Sequence, residues 1–193
     1  MMGFLDAILG RSKPAKPNLD VLFAVPAASL TLQAGLGLEP TGAGAVCFTS
    51  AEGQSAEQAR TEALALLSPG SAQHAESTRD EYGYTWITLR RPDADLATLV
   101  TDLHAVNSTL AEAGYGPTLL CTVIAFAGTI GGHERRVALV YLFKRGTFYP
   151  FVPTGGRSRD NQLELQIRDR LAGELPIEGE LSRWFPIWDA PVP

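Results

Sequence analysis

Two nearly unbroken apolar runs, TLLCTVIAFA (118–127) and VALVYLF (137–143), constrain the fold more than any other feature of the chain. Each is too short to cross a bilayer and too continuous for a strand with one wet face. Rich in β-branched and aromatic residues, they predict central strands covered on both faces or mostly buried. The Gly-rich connector 128–136 is too short for the crossover that parallel pairing needs, so the two strands are expected to pair antiparallel. Lys144-Arg145-Gly146 then turns the chain into a third strand over 147–152, which makes a meander.

The rest of the chain must cover that sheet. Asn18 is placed to cap a helix carrying Leu19, Leu22, Phe23, Leu30 and Ala34, which Pro26 must kink or restart and which Gly35 and Gly37 stop. A strand is predicted over 43–49 and a helix over 55–67, opened by the capping-box pattern Ser55-Ala56-Glu57-Gln58. The polar stretch 74–80 has no clear assignment, whereas YGYTWITL (82–89) alternates its faces as a strand does. Asp93 or Asp95 caps a helix running to about Ala113, with Leu96, Leu99, Val100, Leu103, Val106 and Leu110 on one stripe. A last helix is predicted over 159–173, with Leu163, Ile167 and Leu171 on its inner side.

This order lacks regular strand–helix alternation, so the expected class is α+β, a mostly antiparallel sheet with helices packed on it. A doubly wound nucleotide-binding fold is disfavoured. The arrangement is similar in outline to small secretion-chaperone folds, which bind protein clients and commonly form homodimers. Lys13-Pro14-Ala15-Lys16-Pro17 separates an apolar arm and linker (1–17) from a single domain (18–193) that ends in a Trp/Pro-rich tail.

Among 193 residues, 45% are hydrophobic and 19% charged, which predicts a packed globule. The net charge of −5 argues against nucleic acid as a partner, since phosphate binding needs clustered Lys and Arg. No apolar run reaches about 20 residues, so no membrane-spanning helix is expected. In the arm, basic residues follow the apolar patch, the reverse of a secretory signal.

Candidate chemistry is sparse. His74, His104 and His133 are isolated, Cys47 and Cys121 indicate neither a disulfide framework nor a zinc site and are expected to be buried, inert thiols, and no G-x-S-x-G elbow occurs. Neither catalysis, a metal nor a cofactor is expected. The acidic pairs Asp80/Glu81 and Asp93/Asp95 suit turns and caps. One loop, holding Gly155, Gly156, Arg157 and Arg159, could present backbone N–H groups and guanidinium to an anion or nucleotide at the start of the last helix. A plain strand-to-helix connection is the default reading of it. Two apolar ends are candidates for partner binding. The arm carries Phe4, Leu5, Ile8 and Leu9, and is too short to be a stable helix without a surface to order it. The tail carries Trp184, Phe185, Ile187 and Trp188, which either dock on the domain or serve an interface.

Six blocks carry a resemblance: GFLDAILGR (3–11), DEYGYTW (80–86), LVTDLHAVNSTL (99–110), YLFKRGTFYPF (141–151), DNQLELQ (160–166) and LSRWFPIW (181–188). In these the chain resembles the PspA-associated protein PspAB family, accessory proteins of the bacterial phage-shock, envelope-stress response. The resemblance implies a cytoplasmic, non-enzymatic protein working at or near the inner face of the membrane, with a protein partner of the PspA type, itself a coiled-coil membrane-remodelling protein. It implies no catalytic residues.

Overall fold

The computed structural model describes residues 17–49, 56–67, 75–91 and 95–192. The arm residues Phe4, Leu5, Ile8 and Leu9, together with His74 and Asp93, lie outside them.

Pro26 restarts the first helix rather than kinking it. A 3-10 segment, Leu19–Ala24, leads into α1 (Val25–Leu36), with Pro26 in the first turn, where its missing N–H costs nothing. Gly37 ends α1 in the left-handed conformation (φ 65°) that a Cβ would resist. By length and composition alone, Leu19–Leu36 could reach across a bilayer. Here it lies on the sheet, with Leu22, Val25, Ala28 and Leu32 buried in the core.

β1 (Glu39–Phe48) and α2 (Ala56–Ala65) follow, then β2 (Ala75–Arg79) and β3 (Thr85–Arg90). α3 (Leu96–Leu110) is capped by Asp95, whose carboxylate accepts from the Thr98 N–H at 2.7 Å. Next come β4 (Leu119–Ile130), β5 (His133–Leu142) and β6 (Thr147–Phe151). A small hairpin, β7 (Pro153–Gly155) with β8 (Ser158–Arg159), precedes α4 (Asn161–Leu171).

The main sheet has six strands in the order β2-β3-β1-β4-β5-β6, and every neighbouring pair is antiparallel. The chain is therefore α+β, as its apolar runs predict. The connector 128–136 is mostly strand. Gly131 and Gly132 (φ 59° and 80°) form a two-residue turn, and the β4–β5 ladder runs unbroken up to Ile130 opposite His133. His133 and Glu134 thus stand in β5 and not in a loop, because adjacent glycines close a tighter turn than the polar composition suggests.

Both faces of the sheet are covered. On one, Val46, Phe48, Ile87, Ile124, Phe126 and Tyr141 pack against Leu99, Leu103 and Val106 of α3, with α1 and α4 beside it. On the other, Ala45, Cys47, Trp86, Cys121, Val123 and Tyr149 form a second cluster. Instead of a helix, the C-terminal tail covers this face through Trp184, Trp188 and Val192. Continuous apolar strands follow directly: every residue of Val137–Tyr141 is buried whichever way it points. Each large one contributes about 1.5–3 kcal/mol.

The tail reaches this face along the sheet edge. The Phe148 N–H donates to the Pro176 carbonyl and the Glu178 N–H to the Phe148 carbonyl, both at 2.8 Å, so residues beside Ile177 shield β6.

Candidate functional site

Where the tail leaves the sheet only partly covered, an apolar groove of about 550 Å³ remains. Its floor is sheet: Cys47 on β1, Trp86 on β3, Leu120 and Cys121 on β4, Leu142 on β5 and Tyr149 on β6. One wall is the tail segment from Phe185 to Trp188, and the other is the turn bearing Tyr82 and Tyr84.

Asp80 builds that turn. Its Oδ1 accepts from the N–H groups of Tyr82 (3.0 Å) and Tyr84 (2.9 Å), and Oδ2 accepts from Trp86 Nε1 (2.8 Å). Gly83, at φ 85°, makes the reversal. A carboxylate spent on three donors is a structural group. Tyr82 and Tyr84 stand in this turn and Trp86 in β3 just beyond it, and all three line the groove.

The opposite wall is held by aromatic contacts and one buried acid. Trp184 stacks on Tyr149 at 5.9 Å, and Trp188 meets Phe151 edge-on at 5.0 Å. The Tyr149 hydroxyl donates to the Phe185 carbonyl at 2.8 Å. Burial pushes that phenol well above its ordinary range, so it stays protonated and keeps donating. Trp184 Nε1 donates to the Glu178 carbonyl at 3.0 Å. The Glu178 carboxylate accepts from Arg145, Thr147, Arg183 and the Glu180 N–H.

The mouth is unusually apolar for a surface. Seven large hydrophobic side chains are exposed among the described residues, and three of them, Tyr82 (56%), Tyr84 (38%) and Phe185 (60%), line this one groove. Aromatic side chains with an apolar body and a polar tip are the type that anchors protein interfaces.

The two arginines of the Gly-rich loop are placed apart. Gly155 and Gly156 do not lead into a helix but form the β7–β8 turn with Arg157, all three at positive φ. Consecutive left-handed residues reverse the chain before a helix can begin, and Asp160 caps α4 through the Leu163 N–H at 3.0 Å. Arg157 reaches the groove, where it pairs with Glu81 and lies 3.9 Å from Asp189. Arg159 turns inward: its Nε donates to Glu164 at 2.8 and 2.9 Å, and its Nη1 to the Trp184 carbonyl at 2.8 Å. His104 lies tilted against Phe23, ring centres 4.7 Å apart, and faces Asp20 at 3.3 Å. Among the described residues no three His, Cys, Asp or Glu side chains gather as metal ligands do.

The structure therefore brings Trp188 and Arg157 together around one groove, whereas Trp184 is buried behind its wall, docked on the domain. The sequence reading did not single out Tyr82, Tyr84, Trp86 or Tyr149 as site residues, nor the buried pair Cys47 and Cys121. The alternation in YGYTW was the available signal for the first three. Nothing local marks the cysteines, because the register that pairs them belongs to the sheet.

A family model described as PspA associated protein B matches residues 2–192, nearly the whole chain. No curated protein and no solved structure matches it. Six blocks of similarity spread along the chain and a match over almost its full length agree, and the chain belongs to the PspA-associated protein B family.

Proposed function

We propose that this protein is a non-catalytic accessory protein of a PspA-type membrane-stress response, and that it binds its protein partner in the aromatic groove between the tail and the sheet. One observation carries the reading: Tyr82, Tyr84 and Phe185 stand exposed around an apolar groove floored by the sheet and walled by the Asp80 turn and the tail. The family's name supplies the partner, a protein of the PspA type. Side chains of a partner helix suit such a groove, because aromatic walls gain most from desolvating aliphatic and aromatic groups. The N-terminal arm, with Phe4, Leu5, Ile8 and Leu9, is a second contact, and the site of action is the cytoplasmic side of the membrane.

Phe185→Asp places a charge at the groove's edge without touching the core, since this ring is already 60% exposed. Co-purification with the PspA-type partner should fall by about thirtyfold or more, as expected when a hot-spot aromatic worth ~2 kcal/mol is lost. Thermal unfolding should hardly change. Full recovery of the partner by the variant would remove the groove from the interface. Deleting residues 1–12 tests the arm in the same assay, and unaltered recovery would exclude it.

A further inference from the structure

Cys47 and Cys121, far apart in sequence, are register partners on the antiparallel strands β1 and β4. They sit in one rung that crosses the sheet: Trp86 faces Cys47, Cys47 faces Cys121, and Cys121 faces Leu142. Residues directly opposite on such strands have Cα atoms about 4.5–5.5 Å apart, inside the roughly 4.4–6.8 Å that a disulfide spans. Both side chains belong to the same buried cluster on one face of the sheet. Both line the groove, so a molecule of a few atoms can approach sulfurs that are otherwise buried.

We propose that Cys47 and Cys121 are a site of reversible oxidative modification, a dithiol that small peroxides entering the groove convert to an intramolecular disulfide. In balanced form, one thiol sulfur attacks a peroxide oxygen, the O–O bond breaks, and a sulfenic acid and one water result. The second thiol then attacks the sulfenic sulfur, the S–S bond forms, and a second water leaves. Two sulfurs are oxidised and one hydrogen peroxide is reduced. The apolar surroundings favour this outcome over a persistent thiolate. The neighbouring Cys121 thiol, and then burial, hold the Cys47 thiol far above the ordinary cysteine range, whereas the disulfide is neutral and needs no counter-charge. Attack on a peroxide proceeds through the thiolate, so the reaction is tested in mildly alkaline buffer. This inference rests on the strand register and stands whether or not the groove takes a protein partner.

The test uses the full chain and hydrogen peroxide at mildly alkaline pH, followed by unfolding, alkylation of free thiols and intact-mass measurement. The expected product is a monomer lighter by two hydrogens that takes up no alkyl group and regains two after reduction, with the segments around Cys47 and Cys121 linked in the peptide map. Cys121→Ser should take up peroxide without forming that bridge. Two thiols still open to alkylation after peroxide would overturn the proposal. So would a bridge between two chains, or oxidation of both sulfurs past the sulfenic stage without a bridge.

Discussion

Trp184→Ala is expected to destabilise the protein by about 3–5 kcal/mol, the range for removing a large aromatic side chain from a packed interior. The indole is 6% exposed, stacks on Tyr149 and donates to the Glu178 carbonyl. Its removal leaves a cavity beneath the tail and an unused acceptor, and uncovers the sheet face bearing Cys47, Trp86 and Cys121. The denaturant midpoint should drop accordingly. Phe185→Ala, one residue along, is the control: with its ring already in water it should stay within about 0.5 kcal/mol. Similar small losses for both would mean that the tail is an appendage and not the second cover of the sheet.

Glu178→Ala is expected to cost about 2 kcal/mol and to loosen the same tail. The carboxylate is 4% exposed, and its Oε2 accepts from Arg145 Nε (2.6 Å) and Thr147 Oγ1 (3.0 Å). Oε1 accepts from the Glu180 N–H (3.1 Å) and Arg183 Nη1 (3.2 Å). Breaking a wholly buried ion pair costs about 3–5 kcal/mol. Arg145 and Arg183 are nearly half exposed and regain water when the acid is lost, which lowers the figure here.

The same site makes a prediction about pH. Burial alone would raise the Glu178 carboxyl, but its donors, led by the Glu180 N–H and Arg145, outweigh burial and hold it below the ordinary value of 4.5. The folded form then binds a proton less readily than the unfolded form. Its contribution is full above about pH 4.5 and is lost as the pH falls through the folded value. Glu164 acts in the opposite sense. Burial raises it despite Arg159, so its ionisation weakens the fold as the pH rises through its folded value. The whole-protein profile mixes the two. The difference in unfolding free energy between wild type and Glu178→Gln isolates one, and it should shrink as the pH falls below about 4.5. A gap independent of pH would show that hydrogen bonding, without charge, anchors the tail.

The sheet's centre was legible because continuous burial leaves a local trace: a strand covered on both faces cannot alternate. The start of α3 was legible for a local reason too, since Asp95 does its capping within three residues, whereas Asn18 makes no side-chain capping bond and the Ser55 capping box lies outside the described residues. What could not be read was anything made by long-range register. Cys47 meets Cys121 only once β1 and β4 have paired. Trp184 meets Tyr149 only once the tail has folded over β6. The stretch 74–80 looked featureless because β2 is an edge strand whose side chains are largely left to solvent, so no hydrophobic pattern is required of it. The β7–β8 hairpin was hidden by Arg157, a non-glycine in the left-handed region where a third glycine would have announced a turn.

Among the described residues, two acids near the groove and one of its thiols are already engaged by the fold. Asp80 is saturated by N–H donors, Glu164 by Arg159 and the Val152 N–H, and the Cys47 thiol is held protonated. What the groove presents at its mouth is exposed aromatic surface beside Arg157, and the proposed partner's apolar side chains suit that surface.

Site-specific photocrosslinking in cells tests this most directly, with a photoreactive aromatic residue in place of Phe185 and, as control, of Leu30, which is 64% exposed on α1. Adducts with the PspA-type partner from position 185 and none from position 30 are the predicted result. Adducts from position 30 alone would move the interface to the helical side and contradict the account.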